Sequence, residues 1–462
     1  MSFRRVRATL VSVVTVVAVA AASIALGLAV TPLQAVSALG ETVRVGAAPP
    51  GLTWSGPGEL DLFGQSFPTV VRFAGPVRPR LVLSHITVNR QIAELFPGAP
   101  GSHSASQALG TGLADGFTRY ALVEMAIVGA ASLVLLGAIA GWRRSGWRRT
   151  LTLLIAGFVV VEALNVGGVM YAAFSAPQVL GRVGSLDQLV GRAPVAPVPA
   201  SGGPEQHGVH AVVLGDSTAA GDGLAPVPNP SRLDRACQRS VDSYGAVLAR
   251  VNDWQVLNLA CSSATIEHGL LGPQQIGGLV APAQLGLAKE ARGASVVIVS
   301  IGADDMTWSA IFRLCAISPV CNNNAITAYF QSKLATFTQD YFDLLRQLAA
   351  LPGHPEVIVN SYYDPFDPSS TCLRSKGLTE AKVKVLIAEV KDLDAVLAKG
   401  AEASGFASVQ PNFSGHQLCS PVPYVQGLSD KAPFHPTVAG QLAIAVADEG
   451  AIAKGGRGAA KN

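Results

Sequence analysis

Charge is scarce in this sequence: only 14% of its 462 residues are charged, and the formal net charge is +3. So thin and balanced a charge leaves no basic footprint for nucleic acid. Thiols are absent from the first half. The six cysteines, Cys237, Cys261, Cys315, Cys321, Cys372 and Cys419, all follow residue 230. No CxxC pair or HExxH run occurs, and His207 and His210 have no thiol neighbours. Neither a metal nor another cofactor is therefore expected. An even cysteine count confined to one region suits disulfides in an exported domain.

Apolar residues, by contrast, make up 49% of the chain. Three long stretches stand out. The first, about Ala8 to Val30, follows Arg4, Arg5 and Arg7 and carries no charge, enough to cross a bilayer core. A cleaved signal peptide ending near Val36-Ser37-Ala38 is the competing reading, but the run exceeds a usual signal core and reads better as a retained anchor. The second covers Tyr120 to Trp142 and the third Leu151 to Phe174. Between them lies Trp142-Arg143-Arg144-Ser145-Gly146-Trp147-Arg148-Arg149, four arginines with two interfacial tryptophans, which reads as the cytoplasmic side. The expected protein is thus a multi-pass plasma-membrane protein with residues 31–119 and everything after about 176 outside. The cysteine distribution points to the same side independently. Glu162, near the middle of the third span with Asn165 close by, is costly at membrane depth. It reads either as a lipid- or proton-handling group or as an interhelical hydrogen-bond partner of Ser12, Thr15 or Ser23.

The expected organisation is an anchor at 1–30, an extracytoplasmic unit at 31–119, spans at 120–142 and 150–175, a linker at 176–208 and a domain at 209–455. In the outer unit, Glu41–Ala47, Leu60–Phe63, Thr69–Phe73 and Arg80–Ile86 are short alternating or β-branched runs broken by Gly and Pro, so a small β-rich fold is expected. The run Ala193 to Pro199 makes the linker semi-rigid.

Beyond the linker, apolar runs alternate with helical patterns. His210–Leu214, Gln255–Leu259, Ser295–Ile301, Glu356–Asn360 and Ala407–Gln410 read as strands, and Ser243–Val251, Gln284–Glu290, Ala325–Leu351 and Glu380–Ala403 as helices. That alternation predicts an α/β domain whose central parallel sheet is covered on both faces. Ligands bind such sheets beyond the carboxyl ends of the strands. There the first strand ends in Gly215-Asp216-Ser217 and the third in Gly302-Ala303-Asp304-Asp305. Ser217 enters a small-residue turn that leaves a hydroxyl exposed, and a serine hydroxyl needs a base to become a nucleophile. His435, in Phe434-His435-Pro436-Thr437 just before a helical run, can supply one.

These pieces carry a family resemblance. Val213–Ser217, Asn258–Thr265, Ser300–Asp305 and Phe434–Thr437 resemble, in order and spacing, the conserved blocks of GDSL-type SGNH hydrolases, particularly secreted actinobacterial esterases and lipases. The resemblance spans about 208 to 450. It implies a flavodoxin-like three-layer α/β/α fold, a Ser217 nucleophile, a His435 base, and an oxyanion hole from Ser217, Ser263 and position 304. It also implies disulfides Cys237–Cys261, Cys315–Cys321 and Cys372–Cys419.

Three positions depart from the family pattern. Ser263 replaces a glycine whose backbone N–H donates to the oxyanion, a donor that serine keeps. Asp304 stands where an asparagine amide usually donates, and an ionised carboxylate there only accepts. One such donor is worth roughly 3–4 kcal/mol, so Asp304 is protonated, turned away, or the chemistry is weakened. Ala432 occupies the place of the family's aspartate, leaving Asp430 or a backbone carbonyl, such as that of Ala432, to orient His435. The function expected is hydrolysis of an acyl ester, with envelope lipid or acylated glycan as candidate substrates. The alternatives are acyl transfer to envelope glycan or lipid, and a degenerate glycan-binding module.

Overall fold

The computed structural model describes residues 3–38, 41–48, 53–62, 65–75, 77–83, 102–143, 146–180, 196–369 and 372–459. Phe63, the 84–86 end of the expected fourth strand, Arg144 and Ser145 of the arginine loop, and residues 181–195 of the expected linker lie outside them. The chain divides into two compact units, Met1–Pro194 and Val195–Asn462.

The first unit has three long helices, α1 (Phe3–Val30), α2 (Ser102–Trp142) and α3 (Trp147–Leu180). Within them, Val11–Val30, Thr111–Trp142 and Thr150–Gly168 are long and apolar enough to cross a membrane. α2 starts at Ser102, ahead of the span itself, as the Ala- and Leu-rich stretch from about Ser104 leads one to expect, and its turns before the span carry their own apolar stripe. Leu113 and Phe117 enter the core of a five-stranded sheet with Val45, Leu60, Phe73 and Leu81. That sheet, in the order β1 (Gln34–Ala38), β2 (Glu41–Ala48), β5 (Arg78–Leu83), β3 (Ser55–Leu62), β4 (Gln65–Ala74), is antiparallel except for the β3–β5 pair. The segment Val36–Ala38, weighed above as a cleavage site, is part of β1, and Val36 is buried in the sheet's core.

Glu162 does not pair with Thr15 or Ser23. Among the described residues, its Oε1 and the Ser23 hydroxyl are both buried without a partner, and Thr15 donates instead to the Val11 carbonyl. The interhelical hydrogen bond is made one turn away, where Asn165 Nδ2 donates to Glu124 at 2.9 Å. Glu124 has a completely buried side chain and drew no expectation from the sequence.

The second unit holds a five-stranded parallel sheet in the order β12 (Ala407–Val409), β11 (Glu356–Asn360), β10 (Val296–Ser300), β6 (Ala211–Gly215), β7 (Val256–Asn258). Numbered within the unit, the strands run 2-1-3-4-5, the flavodoxin-like order. β6 and β10 are wholly buried, which their uninterrupted apolar runs require of strands covered on both faces. The expected strands and the four expected helices are present, their ends shifted by a residue or two. Side chains fix the helix starts: Asn323 accepts from the amides of Ala325 and Ile326, and Thr379 from that of Lys382. Elements not anticipated include the hairpin of β8 (Gln274–Ile276) and β9 (Leu279–Ala281) and the helices Arg232–Ala236 and Trp308–Ile317.

Residues 196–208, expected to be linker, pack instead as an arm on this unit. The Val198 amide donates to Gln347 Oε1 at 2.7 Å, and Ser201 and Gly202 both donate to Glu290.

Candidate active site

The parallel order reverses direction between β6 and β10, and the crevice at such a switch point is where α/β sheets bind ligands. The turn after β6 carries Ser217, and the turn after β10 carries Asp304. β6 can end so close to β10 only because residue 215 is glycine. Its φ is +150°, and an added Cβ would lie 2.1 Å from the Ser300 carbonyl oxygen. Asp216 caps the short helix Ser217–Ala220 by accepting from the Thr218 amide at 2.9 Å. The other Asp216 oxygen accepts from the Tyr362 hydroxyl, which in turn accepts from the Ala303 amide. One tyrosine thereby ties the serine turn to the Asp304 turn.

His435 arrives from the far end of the chain. The segment around it pairs with Val425–Gln426: the Gln426 amide donates to the His435 carbonyl at 2.7 Å, and the Phe434 amide to the Gln426 carbonyl at 3.1 Å. Phe434 sits at φ +70°, held there by the rings of Phe312 and Phe366 and by the Tyr363 hydroxyl on its carbonyl. The result is an imidazole whose Nε2 lies 2.8 Å from Ser217 Oγ. Its Nδ1 is 3.1 Å from the Pro433 carbonyl oxygen. A carbonyl can only accept, so Nδ1 carries the proton and Nε2 presents a lone pair to the serine hydroxyl.

The ring is thus oriented by a backbone carbonyl, one of the two kinds of acceptor expected, but it belongs to Pro433 and not to Ala432. Asp430 turns away and accepts from the Gly427 amide at 2.6 Å, stabilising its own turn. The Ala432 carbonyl is occupied by the His435 backbone amide. The left-handed Phe434 folds the ring back onto the residue two before it, making Pro433 the acceptor.

The remaining oxyanion candidates share a cleft of about 640 Å³ with Ser217 and His435. Ser263 adopts φ +63°, a left-handed conformation costing an L-residue about 1–2 kcal/mol. The glycine of the family pattern would relieve that cost, so the replacement is less mild at the backbone than at the donor. Asp304 lines the cleft half-buried, and among the described residues its carboxyl group has no hydrogen-bond partner. Burial, the nearby Asp216 carboxylate and Asp222 push it up to about 7, against an opposing pull from His435. Asp216 itself is raised to about 6 by complete burial, moderated by its Tyr362 bond. Asp305, the residue after Asp304, is raised to about 8 by burial while accepting from the Ile266 amide. One wall of the cleft is apolar, formed by Trp308, Phe312, Val390, Leu393 and Phe434, with Arg313 and Lys376 on its rim.

A model of the GDSL-like lipase/acylhydrolase family matches residues 213–443, half of the sequence. The chain belongs to that family. It is accordingly an SGNH-type serine hydrolase acting on ester bonds. A lipase of Streptomyces rimosus is 27% identical over 238 residues, covering 50% of this chain and 81% of that protein. Lipase 1 of Streptomyces coelicolor is 28% identical over 240 residues, with the same coverage. The crystal structure of the extracellular lipase of Streptomyces rimosus superposes with a TM-score of 0.42 at 25% identity, covering 52% of this chain and 99% of that one.

The three disulfides of this GDSL-like domain join Cys237 to Cys261, Cys315 to Cys321 and Cys372 to Cys419. Sequence reasoning missed three glutamines that hold the turns carrying Ser217 and His435. Gln284 brackets Gly215, accepting from its amide at 2.8 Å and donating to its carbonyl at 2.9 Å. Gln441 donates to the Thr218 carbonyl at 2.9 Å, and Gln426 bridges the carbonyls of Asp222 and Pro436. A lone glutamine in an apolar stretch carries no local signal; only burial against a distant turn gives it a role.

Proposed function

We propose that the protein is a membrane-anchored esterase or lipase that works on the outer face of the plasma membrane through a Ser217–His435 dyad. The observation that carries the reading is the 2.8 Å contact of Ser217 Oγ with an imidazole whose tautomer leaves Nε2 free to accept. As Ser217 Oγ bonds to the ester carbonyl carbon, its proton passes to Nε2. The oxyanion is met by the backbone amides of Ser217 and Ser263 and by Asp304. The tetrahedral adduct collapses, the C–O bond to the alcohol breaks, and Nε2 returns the proton to the departing alkoxide. Water then attacks the acyl-Ser217 ester by the same route and releases the acid. Pro433, through its carbonyl, stabilises the imidazolium in place of an aspartate.

Three long apolar helices and three disulfides within one unit support anchoring and an oxidising location. The core position of Val36 favours a retained anchor, since cleavage after Ala38 would strip a strand from the first sheet.

An impermeant fluorophosphonate probe on intact cells tests chemistry and sidedness together. Labelling of the wild type but not of Ser217→Ala is expected; a wild type that stays unlabelled until the cells are lysed refutes the location. Free carboxylic acid should form without any glycan acceptor. Acylated product that appears only with glycan would replace hydrolysis by transfer.

A further inference from the structure

The helix Trp308–Ile317 has two jobs along its length. Ser309, Phe312, Arg313 and Ala316 line the cleft, while Ile311 and Cys315 face the core. At 100° per residue, Leu314 and Ile317 form a third stripe beside the cleft-lining one. They are exposed by 37% and 76%, and Val320, just beyond, by 51%. The loop that carries Ile317 and Val320 is closed by the Cys315–Cys321 disulfide, so these apolar side chains project from a stapled turn.

The neighbouring rim is basic. Residues 308–323 contain one charged residue, Arg313, and residues 372–378 contain two, Arg374 and Lys376, with no acidic residue in either segment; Glu380, which also feels Arg374, is paired with Lys384 at 2.7 Å. The segments touch: a Cβ on Gly377 would lie 2.6 Å from the Ala316 carbonyl, and Lys382 Nζ bonds both the Ala316 and Gly377 carbonyls. One continuous rim therefore presents apolar prongs and three cations beside the mouth of the cleft. That combination fits an anionic lipid surface, where apolar side chains enter the acyl boundary and basic ones meet the head groups. A bilayer is also the surface to which three apolar helices of this chain are suited.

We propose that the rim formed by Leu314, Ile317, Val320 and Arg374 docks on an anionic bilayer, so that an acyl ester passes from the lipid into the cleft. The proposal deepens the esterase reading and rests on it: it names the substrate as a membrane-resident acyl ester.

The test uses the full chain reconstituted in vesicles of phosphatidylcholine with about 30% phosphatidylglycerol, an anionic surface of the kind polybasic rims recognise. Two esters are compared, a short water-soluble neutral one and a long-chain one held in the bilayer. Ile317→Ser/Val320→Ser should lower kcat/KM on the bilayer ester about tenfold or more, with the soluble ester unchanged. Arg374→Gln should lower it about fivefold, and added salt should erase that difference. Bilayer turnover unchanged in the double variant, or both esters falling together, overturns the proposal. A wild type inactive on both esters refutes the esterase reading instead. Docking is then read without turnover, from the quenching of Ile317→Trp fluorescence above the wild-type background by brominated-chain lipids. Quenching above that background supports the docking. Quenching that stays at the wild-type level overturns it, and points to a protein partner for the patch.

Discussion

Replacing Asp304 by asparagine gives the sharpest test of the oxyanion site. In the cleft the carboxyl group lacks a hydrogen-bond partner among the described residues, and burial with Asp216 and Asp222 pushes it up to about 7. Below that pH the group is a neutral acid whose O–H can donate to the oxyanion. Above it, a carboxylate repels the developing charge. With a midpoint near 7, about one molecule in a hundred keeps the proton two pH units higher. A single oxyanion donor is worth roughly 10²–10³ in kcat, so the rate should follow the protonated fraction. Wild-type kcat/KM is expected to fall about tenfold per pH unit above about 7, reaching about a hundredfold loss near pH 9. Asp304→Asn, which donates at every pH, should match the wild type near pH 6 and exceed it about a hundredfold near pH 9.

Stability should shift in the same sense. The folded-state value lies above the unfolded 3.8, so the native state binds the proton more tightly. The wild type is then stabilised below about pH 4 and loses that stability as pH rises toward about 7. Asp304→Asn removes this slope in urea unfolding. The assay is turnover of a neutral soluble ester across pH 5–10, with unfolding followed in parallel. A wild-type profile flat from pH 7 to 9, or an asparagine variant showing the same alkaline decline, would refute the role of Asp304 as a protonated donor.

Four further outcomes are expected. Ser217→Ala and His435→Ala should each lower kcat by about a thousandfold or more, and the double variant by little beyond that; additive losses in single-turnover kinetics would contradict one shared step. Asp430→Ala should leave kcat/KM within about threefold of the wild type, because its carboxylate caps Gly427 rather than His435; a loss near a hundredfold would return it to the imidazole. Ser263→Gly should raise unfolding stability by about 1 kcal/mol, by releasing the strain at φ +63°, as measured by urea denaturation. Gln284→Ala should cost about 1–3 kcal/mol, by removing the side-chain acceptor of the buried Gly215 amide while the Gly215 carbonyl keeps the Cys261 amide, and should lower kcat more than it changes KM.

Several features were legible before any coordinates. Strands β6, β10 and β11 are short apolar runs with turn residues at their ends, and burial on both faces leaves no other composition open to them. Ser217 and His435 could be singled out because each stands in an unusual local setting, a small-residue turn and a proline-fixed helix start. The three apolar helices follow from length and composition alone.

What folding decided were pairings between positions far apart in the chain. The acceptor for His435 Nδ1 depends on the φ of Phe434, which is set by the rings of Phe312 and Phe366, more than sixty residues away. The upward shift of Asp304 depends first on its burial and then on Asp216 and Asp222, brought near it by the β6–β10 pairing. Gln284, Gln426 and Gln441 acquire their functions only against the carbonyls they reach. Likewise, Glu124 finds Asn165 only because α2 and α3 pack side by side. Periodicity and local turn chemistry are written in neighbouring residues, so the sequence by itself determined the main strands and helices and singled out Ser217 and His435. Electrostatics and hydrogen-bond partnership depend on distance in space, so tertiary structure alone decided how the imidazole is held and how far Asp304 is raised by its surroundings.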